Sequence, residues 1–100
     1  MKTEQITTIF EALSQEGRLK IFRLMVEHSK EGITPTEMFN KLDCMAKNTL
    51  SFHLNILTQA NLCSFEKKGK TLIYKPNCKA IKEAAHFLLK DCCEGGCLEC

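Results

Sequence analysis

A single pair of β-prone segments interrupts a chain whose other apolar residues follow helical spacing. Residues 62–66 and 71–74 flank the turn sequence Lys67-Lys68-Gly69-Lys70, and Pro76 bounds the second segment, so the pattern predicts a β-hairpin. Apolar residues recur every three or four positions before and after this hairpin, which is typical of amphipathic helices. With 100 residues, the chain is expected to form one small domain.

The helical patterns divide into five segments. The apolar residues that define the first, second and last of them are Ile6, Ile9, Phe10 and Leu13, then Leu19, Phe22, Met25 and Val26, and finally Ile81, Ala84, Ala85 and Leu88. Gly17 is predicted to separate the first two helices, and Gly32 to end the second. Thr34-Pro35-Thr36-Glu37 is typical of a capped helix start and predicts a short helix through Leu42. Residues 47–59 predict the next helix.

Two short helices joined by a tight turn at residues 43–46 indicate a helix-turn-helix. The order helix, helix, helix-turn-helix, hairpin, helix predicts a mainly α fold with a β-hairpin, which is the winged helix-turn-helix plan. In the helix over residues 47–59, three leucines occupy one face and leave the opposite face to Asn48, Ser51, Phe52 and Asn55. A helix fits the major groove of DNA, and a lysine-tipped hairpin can reach neighbouring phosphates. Double-stranded DNA is therefore the predicted partner.

The distribution of charge supports this interpretation more than the net charge of +2 does. Residues 63–79 carry five lysines against one acid, Glu66, whereas residues 91–100 carry three acids and no base. Positive charge around the hairpin supplies the electrostatic attraction that dominates affinity for DNA.

The C-terminus concentrates thiols. Four of the seven cysteines lie in residues 92–100, namely Cys92, Cys93, Cys97 and Cys100. A vicinal pair followed by two more sulfurs across a Glu-Gly-Gly spacer can surround a soft ion, and soft ligands select thiophilic metals and metalloids. Residues 92–100 are thus predicted to be a ligand-binding tail after a domain of residues 1–91. The other cysteines are scattered singly and are expected to be small buried or incidental residues.

Together these segments resemble the ArsR/SmtB family of metal- and metalloid-responsive repressors. The resemblance is carried by residues 10–14, 18–21, 46–57 and 60–75. It implies a homodimer formed through the first and last helices. It also implies base contacts from Lys47, Asn48, Ser51 and Phe52, and backbone contacts from the hairpin lysines Lys67, Lys68 and Lys70. Phe52 departs from the family, in which a histidine is frequent; a phenylalanine can touch a thymine methyl group but cannot donate a hydrogen bond.

The resemblance extends to the cysteine tail. It is similar to family members in which a vicinal cysteine pair after the last helix, with one further cysteine, binds trivalent arsenic. Cys92 and Cys93 match the pair, and the third ligand is Cys97 or Cys100. The implied function is a repressor that leaves its operator when As(III) or Sb(III) binds as inducer, with no permanent cofactor. A four-cysteine zinc site and sites for cadmium, lead, copper(I) or bismuth stay open as chemical alternatives.

Two other functions are compatible with the cysteine tail. One is a thiol redox or reactive-sulfur sensor on the same fold, in which Cys92 or Cys93 forms a disulfide with Cys97 or Cys100. The other is a thiol enzyme or metal-trafficking module that uses the pair Cys97 and Cys100. That pair lacks the βαβ context of a redox fold, so the chain is not expected to be an enzyme. Because no apolar segment is long enough for a membrane span or a signal peptide, a cytoplasmic location is expected.

Overall fold

The computed structural model describes residues 1–42 and 45–91. The elements in this part of the chain are α1 (Thr3–Leu13), α2 (Glu16–Glu27), α3 (Pro35–Lys41), α4 (Lys47–Gln59), β1 (Cys63–Lys68), β2 (Thr71–Pro76) and α5 (Cys78–Leu89). Strands β1 and β2 form one antiparallel two-stranded sheet. The predicted fold class, a mainly α winged helix-turn-helix with a β-hairpin, is confirmed. Cys44 and the four cysteines of the predicted tail lie outside the described residues.

The boundary between α1 and α2 differs from the prediction. Gly17 does not separate the two helices, because it lies in the first turn of α2. The break falls at Ser14 and Gln15, where the Gln15 side chain caps α2 by accepting a hydrogen bond from the Arg18 amide at 2.9 Å. A side-chain cap satisfies one of the open N–H groups at a helix start. This cap starts α2 ahead of the glycine.

A backbone bridge after α2 joins the hairpin to the helical body. Ile33 and Tyr74 exchange two backbone hydrogen bonds, from Ile33 N to Tyr74 O at 3.0 Å and from Tyr74 N to Ile33 O at 2.8 Å. Gly32 precedes this bridge with a φ of +83°, and a Cβ there would lie 2.4 Å from Ile73 Cγ2. Only glycine combines this backbone conformation with so close an approach. The base of the hairpin is therefore fixed, while its tip extends away from the core.

The core lies where the helices and the base of the hairpin meet. Its largest fully buried side chains are Ile9, Ile21, Met25, Ile33, Met38, Leu57 and Leu62. They come from α1, α2, α3, α4 and the segments next to the strands, so one apolar cluster holds the helix-turn-helix against the rest of the domain.

Helix α5 is capped and partly buried at its start and exposed at its end. The Asn77 side chain caps it by accepting from the Ala80 amide at 3.2 Å, and Ala80 and Ala84 are buried. The predicted stripe of α5 is confirmed only in its first half, because Ala85 and Leu88 are exposed. The core does not cover the last turns of α5. None of the described helices is long and apolar enough to cross a membrane.

Candidate nucleic-acid interface

The first helix of the helix-turn-helix is fixed by a reciprocal cap. Thr34 Oγ1 accepts from the Glu37 amide at 3.1 Å, and Glu37 Oε1 accepts from the Thr34 amide at 3.0 Å. The hydrogen bond from the Thr34 backbone, with the one from its hydroxyl, lowers the pKa of the Glu37 carboxyl. Pro35 occupies the first turn, where its missing N–H costs no hydrogen bond. The sequence prediction of this start is confirmed.

Helix α4 has one buried and one exposed face. Leu50, Leu54 and Leu57 are buried against the core. The predicted base-contacting residues Lys47, Asn48, Ser51 and Phe52 are all exposed on the first turns of α4, as is Asn55 one turn further on. The structure therefore brings these five side chains together on one solvent-facing surface, which we call the α4 surface.

Two aromatic contacts shape the α4 surface. The Phe52 side chain is 60% exposed, and its ring centroid lies 6.0 Å from that of His53. A phenyl ring this exposed on a polar helix face is available to an apolar group of a partner. The ammonium of Lys47 lies over the ring of Phe39 on α3, 5.3 Å from its centroid, within the range of a cation–π interaction. Phe39 thereby holds Lys47 at the start of α4.

The hairpin presents its lysines at the tip. Lys68 pairs with Thr71, so the strands are joined by the two-residue turn of Gly69 and Lys70, and Gly69 adopts a φ of +64°. The strand continues through Lys68 rather than ending before Lys67, which shortens the predicted turn. Lys67, Lys68 and Lys70 are all exposed. Further back, the rings of Phe65 and Tyr74 pack across the two strands with centroids 5.2 Å apart.

A polar contact that local sequence patterns did not predict ties α2 to α4. Arg18 on α2 donates from Nε to the Ala12 carbonyl at 2.6 Å, and its Nη1 lies 3.4 Å from His53 Nδ1 on α4. Burial, followed by the positive charge of Arg18, lowers the pKa of His53. The neutral form of His53 thus accepts from Arg18 behind the α4 surface. The sequence does show that His53 shares the buried face of α4 with three leucines, but it does not show the partner of His53.

The structure describes two of the single cysteines, Cys63 and Cys78. Cys63 is buried, its Sγ lies 3.4 Å from Thr58 Oγ1, and burial raises the pKa of its thiol. Cys78 is half-buried at the start of α5. Across residues 1–42 and 45–91, no three His, Cys, Asp or Glu side chains form a group that could hold a metal ion. The predicted ligands Cys92, Cys93, Cys97 and Cys100 lie outside this part of the chain.

Comparison with known proteins shows which class of regulator the chain resembles. A model described as a helix-turn-helix domain matches residues 13–62, which run from the end of α1 through α4. The chain is 30% identical to the transcriptional repressor SdpR of Bacillus subtilis, over 84% of this chain and 89% of that protein. It is 33% identical to the uncharacterized HTH-type transcriptional regulator YbzH of the same organism, over 80% of this chain and 91% of that protein. These relatives are transcriptional regulators, which are not enzymes.

A solved structure has the same fold as this chain. The ArsR-like transcriptional regulator from Rhodococcus sp. RHA1 superposes with a TM-score of 0.78 at 20% identity, over 93% of this chain and 84% of that one. Nearly the whole chain therefore shares that fold. The chain belongs to the helix-turn-helix transcriptional regulators and has the ArsR-like winged fold.

Proposed function

We propose that this protein is a homodimeric transcriptional repressor that binds operator DNA with α4 in the major groove and the hairpin at the flanking phosphates. The observation that carries the proposal is the α4 surface, where Lys47, Asn48, Ser51 and Phe52 are exposed side by side on a helix anchored by three buried leucines. Amide, hydroxyl and ammonium groups can bond to base edges, and a phenyl ring can contact a thymine methyl group.

The hairpin complements this surface electrostatically. Its three exposed lysines carry charge that meets phosphates without regard to sequence, which positions the protein while the α4 surface selects bases. Helix α4 packs against α2 and β1, and α2 packs against β2, so the hairpin and α4 belong to one rigid unit. The relative SdpR, whose name describes a transcriptional repressor, supports the direction of regulation.

The proposed homodimer uses the exposed end of α5. Phe87, Leu88 and Leu89 are 50%, 62% and 66% exposed in one chain, although each is large and apolar. Clustered apolar residues on a surface are typical of protein interfaces. A second copy is the proposed cover, because two half-sites about one helical turn of DNA apart require two α4 surfaces.

DNA binding tests the core of this proposal. Fluorescence anisotropy with labelled DNA from the protein's own promoter should give saturable binding, and an Asn48→Ala variant should lose preference for that DNA over random duplex. Glu66→Ala, which removes an acid beside the hairpin lysines and touches no base, should raise affinity for both DNAs equally and keep the preference. Equal affinity of the wild-type protein for promoter and random DNA would contradict base recognition by α4.

We further propose that As(III) or Sb(III) bound by Cys92, Cys93 and a third thiolate, from Cys97 or Cys100, releases the repressor. The support is the sequence: a vicinal thiol pair follows α5 directly, and three thiolates suit a soft trivalent centre. Because the tail continues from the helix assigned to the dimer contact, a ligand there would act on the relative angle of the two subunits. About 2.7 kcal/mol of coupling would weaken operator binding a hundredfold.

Titration of the reduced protein–DNA complex distinguishes the possible ligands. Release by arsenite or antimonite, lost in a Cys92→Ser/Cys93→Ser variant and retained in Cys78→Ser, supports the metalloid switch. Release by a disulfide oxidant alone favours the redox sensor, and release by zinc or cadmium alone favours a metal sensor. Either of these results would overturn the metalloid assignment and leave DNA binding intact.

A further inference from the structure

A groove between α3 and α4 opens beside the α4 surface. It has a volume of about 320 Å³, and Lys47 and Ser51 of the α4 surface line it. From α3 it is lined by Pro35, Thr36 and Phe39. The proposed DNA contacts come from α4 and the hairpin, so they assign no role to the α3 side of this groove.

The side chain of Phe39 links the core to the α4 surface. Phe39 is half-buried and packs against the buried apolar cluster, while it also lines the groove. The ammonium of Lys47 lies 5.3 Å from the centroid of its ring. Because packing against the core restricts the conformations of a side chain, the Phe39 ring is a fixed support for the lysine above it.

Three effects direct Lys47 toward that ring. Lys47 is the first residue of α4, and the positive end of the helix dipole repels its ammonium from the helix end. The face of an aromatic ring carries the negative part of its quadrupole and attracts a cation. Long side chains of a helix also lean toward its N-terminus, which turns the lysine stem back toward α3. The place of Lys47 over Phe39 is therefore favoured before DNA binds.

A lysine held in this way meets DNA differently from a free one. A lysine ammonium is a compact charge on a flexible stem and can pair with any phosphate within its reach. Contact with the Phe39 ring lowers the population of the other stem conformations and leaves the protons that face away from the ring to an acceptor. In the major groove, guanine presents two neighbouring acceptors, N7 and O6, which suit a side chain that only donates.

We propose that Phe39 is a positioning residue for base recognition, whose ring holds Lys47 so that the ammonium bonds to a guanine edge rather than to a phosphate. This role rests on the proposed function, because it requires α4 in the major groove. It adds to that function a residue of α3 that selects sequence without touching a base. Since Phe39 acts through Lys47, its effect differs from that of a residue that only stabilises the fold.

Proton NMR of the lysine side chains tests the contact in the DNA-free protein. A ring shifts protons above its face upfield, so the Cε protons of Lys47 should resonate upfield of those of Lys82, an exposed lysine of α5. Phe39→Leu keeps an apolar side chain against the core and should move the Lys47 resonance to that of Lys82. Phe39→Tyr keeps the ring and should retain the shift. The same Lys47 resonance in Phe39→Leu and the wild type would overturn the proposal.

Binding to two DNAs separates positioning from folding. Phe39→Leu should weaken binding to promoter DNA about threefold, equivalent to about 0.7 kcal/mol, and leave binding to random duplex unchanged. Phe39→Tyr should bind both DNAs like the wild type. Fluorescence anisotropy measures these affinities. An equal loss on both DNAs in Phe39→Leu would show a purely structural role, and that result, like no loss on promoter DNA, would overturn the proposal.

A double-mutant cycle tests whether Phe39 acts through Lys47. In a Lys47→Ala background, Phe39→Leu should cost no further affinity for promoter DNA. Replacing promoter guanines one at a time by 7-deazaguanine, which lacks the N7 acceptor, should reveal a position at which the wild type loses affinity and Lys47→Ala does not. The same cost of Phe39→Leu with and without Lys47 would contradict the positioning role.

Failure of the proposed function gives a different result from failure of the positioning role. If α4 does not read bases, the wild type itself shows no preference for promoter over random DNA, and both proposals are overturned. If only the positioning role is wrong, the wild type keeps that preference and Phe39→Leu keeps it to the same extent.

Discussion

Helices α4 and α5 are of similar length, yet they expose opposite kinds of side chain. On α4 the outer face carries Lys47, Asn48, Ser51 and Asn55, with Phe52 as its one large apolar residue. On α5 the last turn exposes three consecutive apolar residues, 87–89, by half or more of their surface. A polar helix face suits a hydrated, charged partner, and an apolar one suits burial. The two faces therefore fit the two proposed partners, DNA for α4 and a second copy of the chain for α5.

The inner faces of the two helices differ as well. Helix α4 buries Leu50, Leu54 and Leu57, whereas α5 buries only Ala80 and Ala84. Free energy from burial scales with apolar area at about 25 cal/mol per Å², so the small side chains of α5 stabilise its docking much less. Helix α4 is held by its own chain. Helix α5 gains from a partner that covers its last turn.

The largest predicted change comes from a variant at the apolar end of α5. Leu88→Glu puts a charge into the apolar end of α5 and should convert the dimer to monomer. Losing simultaneous contact with two half-sites should weaken operator binding by roughly a hundredfold or more. Sedimentation equilibrium and fluorescence anisotropy measure the two changes.

The matched control for that variant is Leu19→Glu, at an exposed leucine of α2 that is 45% exposed in the described chain. It introduces the same charge away from α5 and should leave both assembly and DNA affinity unchanged. A Leu88→Glu protein that remains dimeric would move the dimer contact elsewhere.

The next prediction concerns the hairpin lysines and their sequence-independent contacts with DNA phosphates. Replacing Lys67, Lys68 and Lys70 by glutamine should weaken binding to promoter and random DNA alike, roughly tenfold at physiological salt. The slope of log affinity against log salt should fall by about 0.9 for each phosphate contact removed. Anisotropy titrations at several salt concentrations measure that slope. An unchanged slope would mean that the hairpin does not meet the backbone.

A smaller effect tests the one apolar residue of the α4 surface. Phe52→Ala should cost about 1 kcal/mol on promoter DNA, the contribution of burying about one methyl group. Replacing the contacted thymine by uracil should cost the wild type a similar amount and the variant nothing further. Phe65→Ala, at a hairpin phenylalanine that is 51% exposed, provides the control. Additive costs of the two changes would exclude a contact between Phe52 and that methyl group.

The sequence predicted what is encoded locally. Thr34 and Glu37 are three residues apart, so their reciprocal cap and the start of α3 follow from neighbouring residues alone. The polar side of α4 likewise follows from the spacing of its leucines. The hydrogen-bond partner of His53, Arg18, is 35 residues away in the sequence, and no local pattern indicates that contact. Leu88 fits the helical stripe, but its exposure depends on where the core ends, which spacing does not determine.

The smallest predicted change is in the pH dependence of stability, which the buried face of α4 should cause and that of α5 should not. His53 is the ionisable residue buried on α4, while the residues buried on α5 are alanines. Its pKa is lowered in the folded protein by burial and by Arg18, whereas in the unfolded chain it is about 6.5. Between these two values the unfolded chain binds more protons, so stability falls as pH drops through about 6.5 and is fully present above it.

Urea unfolding at about pH 7.5 and about pH 5.5 should therefore show a loss of unfolding free energy that a His53→Gln variant lacks. The carboxyl of Glu37, whose pKa is lowered from 4.5, loses its contribution only at more acidic pH and does not enter this window. The two proteins differ only at position 53, so every other residue contributes equally to both. The same loss in His53→Gln as in the wild type would place the pH dependence outside the buried side of α4, and the contrast between the inner faces would then rest on size alone.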